Sequence, residues 1–98
     1  MKVEFTNRAV SDLREISDYS RRKFGDRVAA ALEARIRDVI ADIAHAPERA
    51  PAIEQRPDMH VVPLVRYPFK IFYRIVGGAV RILHIRHAAR RSWDFDDE

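Results

Sequence analysis

The sequence holds no cysteine, three glycines and one tryptophan, and no apolar run near the roughly 20 residues that cross a bilayer as a helix. Without cysteine, a disulfide framework and thiolate chemistry are excluded. A short chain that forgoes disulfides is expected in a reducing compartment. A polar, periodic segment follows residues 1–5 directly, unlike a secretory signal, so the expected location is the cytoplasm and no membrane partner is expected. His45, His60, His84 and His87 lack ligand spacing with carboxylates, so neither a metal nor another cofactor is expected. His84 and His87 lie three apart on a strand and would face opposite sides. The one glycine pair, Gly77-Gly78, sits where a hairpin turn belongs, which excludes a phosphate-cradling glycine loop. No Ser/His/Asp order is readable, and there is no internal repeat.

Acid is also missing from one stretch. Residues 1–63 carry eleven Lys/Arg and eleven Asp/Glu and are neutral. Residues 64–93 carry Arg66, Lys70, Arg74, Arg81, Arg86, Arg90 and Arg91 with no acid, and the tail Asp94, Asp96, Asp97, Glu98 is wholly acidic. A sheet end that gathers the positive charge points to an anionic partner. The tail could fold back on the same arginines and mimic that partner.

What is present describes one α+β domain spanning residues 1–98. At 47% hydrophobic residues the chain is too apolar to stay disordered, and its length leaves no room for a second domain. Residues 2–5 read as a short strand. Thr6 or Asn7 caps a helix that runs to about Lys23, with Val10, Leu13, Ile16, Ser17 and Phe24 on one stripe. Gly25 breaks it and Asp26 is placed to cap a second helix. There Val28, Leu32, Ile36, Val39, Ile40 and Ile43 repeat at helical spacing, and Ala46-Pro47 stops the run. Ala29, Ala30 and Ala31 allow the two antiparallel helices to approach closely. Residues 46–58, with three prolines, read as a long loop. A three-stranded antiparallel sheet is then expected over 59–66, 69–76 and 79–87, with Pro63 marking an edge or bulge.

The Gly77-Gly78 turn sets a register. It pairs Ile75 with Val80, Tyr73 with Ile82, Ile71 with His84 and Phe69 with Arg86 on a face that packs on the helices. The other face pairs Arg74 with Arg81, Phe72 with Leu83 and Lys70 with Ile85, with His87 beyond. Its apolar strip needs a cover, either the C-terminal tail or a partner. The Arg74/Arg81 like-charge pair calls for an anion. Arginine forks suit carboxylate or phosphate, aromatic neighbours could stack on bases, and a histidine among cations could stay neutral as a base. The plainer reading makes Tyr73 core, His87 a strand end, and the arginines a docking surface for a partner's acids.

The run Arg66-Tyr67-Pro68-Phe69-Lys70-Ile71-Phe72-Tyr73-Arg74-Ile75, then Gly77-Gly78, then Val80 to Arg91, set behind a strand and a helical hairpin, resembles the RelE/ParE superfamily of bacterial toxins over nearly the whole chain. The resemblance implies the toxin half of a type II toxin–antitoxin pair, of the kind linked to plasmid stabilization, held in a hetero-oligomer by its cognate antitoxin. It further implies one of two targets. RelE-like members cleave mRNA on the ribosome, which would make Lys70, Arg74, His87 and Arg90 catalytic. ParE-like members poison DNA gyrase without catalysis. Lys70 and Arg90 fall at or near two cationic positions of the RNases. The lysine pair those enzymes carry is replaced by Glu54-Gln55-Arg56, and only Trp93 and Phe95 stand near their late tyrosine; an indole cannot act as that phenol does. The ending His87-Ala88-Ala89-Arg90-Arg91 is more like the ParE branch. The expectation is therefore a gyrase-directed, non-enzymatic toxin, with Phe72, Arg74, Arg81, Leu83 and Ile85 binding the antitoxin and His87, Arg90, Arg91 and Trp93 meeting the target.

Overall fold

A computed structural model gives the fold and describes residues 1–88. The chain opens with β1 (Lys2–Phe5), followed by α1 (Asn7–Phe24). Thr6 is extended and its hydroxyl oxygen accepts the Ala9 N–H at 3.1 Å, so it is the cap. Arg21, Arg22 and Lys23 fill the last turn, where cations complement the helix dipole. Gly25, at φ 94 and ψ 173, ends α1 by donating its N–H to the Arg21 carbonyl. Its own carbonyl accepts the Ala29 N–H, so α2 (Asp26–His45) begins at once. This corrects the expected role of Asp26: Gly25 occupies the cap, and the Asp26 carboxylate instead pairs with Arg21 at 2.9 Å.

Leu32, Ile36, Val39, Ile40 and Ile43 bury the expected stripe of α2 against Ile71, Tyr73, Val80 and Ile82 of the sheet. Val10, expected on the stripe of α1, is exposed at 36%; Val28 and Phe24, expected on the core stripes, are exposed at 41% and 57%. The latter two flank Gly25, where the hairpin turns. In α1 the fully buried positions are Ala9 and Ser20, with Leu13 and Ile16 packed on the core from its margin.

The sheet has five strands, where three antiparallel strands and a separate first strand were expected. β2 (Ala52–Ile53), β3 (Arg56–Pro63), β4 (Phe69–Val76) and β5 (Ala79–His87) are antiparallel neighbours, and β1 joins the far edge parallel to β5, giving the order β1-β5-β4-β3-β2. The expected loop over 46–58 thus contains a short strand and the start of β3. β3 ends at Pro63, which has no N–H to continue a ladder. Gly77 (φ 56) and Gly78 (φ 78) form the turn with both residues at positive φ, as the glycine pair predicts.

The register follows the expected one through Ile75↔Val80, Arg74↔Arg81 and Tyr73↔Ile82, then changes. One extra residue, Leu83, lies between Ile82 and His84, so Phe72 faces His84, Ile71 faces Ile85, Lys70 faces Arg86 and Phe69 faces His87. The expected pairs Phe72/Leu83, Lys70/Ile85, Ile71/His84 and Phe69/Arg86 are therefore corrected. Polar groups at this bulge are met from β1 and α1. The Thr6 hydroxyl lies within 3.0 and 3.1 Å of the Leu83 and Ile82 carbonyls, and the Asp12 carboxylate accepts the Ile85 N–H at 3.0 Å.

Candidate functional site

The cationic face is built on the hairpin of β4 and β5. Arg74 and Arg81 sit directly opposite each other, as the turn dictates. The anion that such a pair requires comes from within the chain. Asp58, on β3, meets Arg74 at 3.2 Å, and Glu4, on β1, meets Arg81 at 3.3 Å. Glu4 is also the register partner of Arg81 across the parallel ladder. Sequence reasoning missed both acids: Glu4 lies 77 residues from Arg81, and Asp58 was expected at the end of a loop rather than in β3. The only available signal was strand periodicity, which puts Glu4 beside β5 once β1 is known to be parallel.

The other three residues expected to bind a partner lie inside. Phe72 and Leu83 are fully buried in a second apolar cluster with Ile53 and Met59, against which Val61 packs. β2 and β3 thus contribute to covering the strip, a source the sequence reading did not consider. Ile85, expected on the cationic face, is turned by the Leu83 bulge into the core beneath the helices. A partner laid on this face would meet Arg74 and Arg81, both part-exposed, rather than these three side chains.

Lys70 and Arg86 form a second pair of facing cations toward the end of the hairpin. His87 is exposed and stands edge-on to Phe69, with ring centres 5.8 Å apart. After it, the Ala88 N–H donates to the Pro68 carbonyl at 2.7 Å, which fixes the end of β5 to the turn before β4. Arg90, Arg91 and Trp93 lie outside the described residues. Lys70 and Arg74 are four residues apart on one strand, so roughly 13 Å separates their backbones.

Tyr73 and His84 are both buried. Tyr73 is fully buried, donates its hydroxyl to the Pro47 carbonyl and stacks on His60, and burial pushes its phenol above the ordinary value. His84 is buried, with Nδ1 3.9 Å from the Asp12 carboxylate. Burial also holds the Asp12 carboxyl above its ordinary value, against the opposing pull of the Ile85 N–H and of His84, Arg8 and Arg86. Among the described residues no group of three or more His, Asp or Glu side chains gathers as metal ligands, and no helix is long and apolar enough to cross a membrane. Beside α2 an open groove of about 320 Å³ is lined by Val39, Ile43, Val61, Val62 and Val65, with Arg35 and Arg49 also at its walls.

Residues 3–92 match the family described as the ParE toxin of the type II toxin–antitoxin system parDE. The toxin RelE2 of Caulobacter vibrioides is 36% identical over 90 residues, which cover 91% of this chain and 97% of that protein. In structure, the chain is similar to one from the chromosomal ParDE system of P. aeruginosa, with a TM-score of 0.80 and 24% identity over 89% of this chain and 95% of that one. It is also similar, with a TM-score of 0.63 and 18% identity, to a chain of the E. coli RelBE toxin–antitoxin complex, covering 91% and 98% of the two chains. The helical hairpin, the five-stranded sheet and the match over nearly the full length agree: the chain belongs to the ParE toxin family within the RelE/ParE superfamily, as the toxin of a type II toxin–antitoxin system.

Proposed function

We propose that this toxin acts on DNA gyrase by binding, without catalysis, and that its antitoxin silences it by covering Arg74 and Arg81 and filling the apolar groove beside α2. The observation that supports the first part is the spacing of Lys70, Arg74 and His87, the candidate RNase residues among those described. In-line cleavage of RNA needs a base at the ribose hydroxyl and cations at the phosphate within one small volume. Here Arg74 is engaged by Asp58 and Lys70 stands roughly 13 Å from it along β4. His87 lies against Phe69 at the Lys70 end of the hairpin, away from Arg74, while the buried phenol of Tyr73 is committed to Pro47. In this reading His87, Arg90, Arg91 and Trp93 contact the target.

For the antitoxin, the support is chemical fit. Apolar side chains with acids suit Val39, Ile43 and Val65 beside Arg35 and Arg49 in the groove, and a second acidic stretch suits Arg74 and Arg81 on the opposite face of the sheet. The second reading, ribosome-dependent mRNA cleavage, draws on the facing pair Lys70/Arg86 near His87, which could hold a phosphate, and on the name of the C. vibrioides relative. Plasmid topology separates the two. Plasmid recovered from cells expressing the toxin should lose negative supercoiling while cellular mRNAs stay intact. Unchanged supercoiling with mRNAs cut within their reading frames would favour the second reading.

A further inference from the structure

Arg74 and Arg81 face each other on adjacent strands, and each is neutralised by an acid from a third and a fourth strand, Asp58 on β3 and Glu4 on β1. Both acids stand at the solvent boundary, with the Asp58 side chain 62% exposed and Glu4 38%. Contacts of 3.2 to 3.4 Å between such groups are weak and exchange readily with other anions. Neither acid holds its own strand in place. β1 is fixed by its ladder to β5 and by the Thr6 N–H on the Ile82 carbonyl, and β3 by its ladder to β4 over His60–Pro63 and by the pairing of Arg56 and His60 with β2 on either side of Asp58. The side-chain pairs therefore serve the arginines more than they serve the strands.

We propose that Glu4 and Asp58 are built-in stand-ins for carboxylates of the antitoxin: an acidic stretch laid across β4 and β5 displaces them from Arg81 and Arg74. This rests on the proposed reading that the antitoxin covers these two arginines. Two facing guanidinium groups repel each other unless two negative charges answer them. The displacing stretch must therefore bring a pair of Asp or Glu side chains to one face, as residues two apart on an extended segment do. Until then Glu4 and Asp58 hold the hairpin unstrained and compete with the antitoxin, which lowers its affinity and slows its capture. They set how readily the toxin is silenced without touching the antitoxin themselves.

The experiment compares binding of the antitoxin encoded beside this toxin to the parent chain, to Glu4→Gln/Asp58→Asn, and to Arg81→Glu. The double variant should bind about two- to tenfold more tightly. The gain should appear mainly in the association rate at low salt and fade as salt screens it. Asp58→Asn alone, which removes the more exposed acid, should show part of the same gain and serves if the double variant folds poorly. If Arg81→Glu weakens binding while both neutralised variants bind no better than the parent, the exchange is wrong and the placement of the antitoxin stands. Should Arg81→Glu leave affinity unchanged, the placement itself falls. Tighter binding of the double variant to single-stranded RNA, with none to the antitoxin, would also overturn the proposal.

Discussion

The carboxylate of Asp12 accepts the backbone N–H of Ile85 at 3.0 Å, which ties the first helix to β5 two residues past its bulge. Asp12→Ala leaves that N–H without its acceptor and should cost about 1–3 kcal/mol of unfolding free energy. Asp12→Asn keeps an acceptor oxygen and should cost less. The variants also differ in their response to pH. Because the folded protein holds the Asp12 carboxyl above its ordinary value of 3.8, the folded state binds that proton more tightly than the unfolded state does. The contribution is fully present below pH 3.8 and is lost as pH rises through the folded value. Urea unfolding across the mildly acidic range should show the parent losing more stability with rising pH than Asp12→Asn.

Gly25 joins the helices at φ 94 and ψ 173, a backbone region that is essentially glycine-only. A Cβ there would meet nothing within 4 Å, so Gly25→Ala isolates backbone strain from crowding. The expected cost is about 1–3 kcal/mol, measured as a shift in urea midpoint with unchanged slope.

Phe72 and Arg81 should separate stability from binding. Phe72 is fully buried among Ile53, Met59 and Leu83, so Phe72→Ala should cost about 3–5 kcal/mol, a large part of a small domain's stability. Arg81→Glu, at a part-exposed position, should leave most of the stability and reduce antitoxin affinity. Denaturation and antitoxin titration on the same two preparations test both statements. Equal loss of stability in the two variants would contradict them.

Tyr73 is structural in this fold. Tyr73→Phe removes the hydrogen bond to the Pro47 carbonyl but leaves the ring and its stacking on His60, so about 0.5–1.5 kcal/mol should be lost. Toxicity should survive wherever the chain stays folded, which growth assays on cells expressing the variant can read.

The helices and the Gly77-Gly78 hairpin were legible because local chemistry dictates them. Thr6, Gly25 and Pro47 act within a few residues of the turns they make, and Leu32 to Ile43 repeat at a helical period. The sheet's edges were not legible. β1 pairs with β5 across most of the chain, and two-residue β2 carries no periodicity at all. The site suffered most from one residue. A single extra position at Leu83 rotates the remaining strand, so Ile85 enters the core and Arg86, not Ile85, faces Lys70. Nothing local marks that bulge, since Thr6 and Asp12, whose side chains meet its backbone groups, lie more than 70 residues away. Arg74 opposite Arg81 was legible from the turn, but the acids that answer them were not: Glu4 is as distant in the chain, and Asp58 sits in the part of β3 that reads as loop.

The most direct test of gyrase as the target is a titration of the purified toxin into a supercoiling and cleavage assay with purified gyrase. Loss of supercoiling, or accumulation of cleaved DNA, at toxin levels comparable to the enzyme is the predicted result, and added antitoxin should reverse it. No effect at a large excess over gyrase would contradict a gyrase-directed toxin.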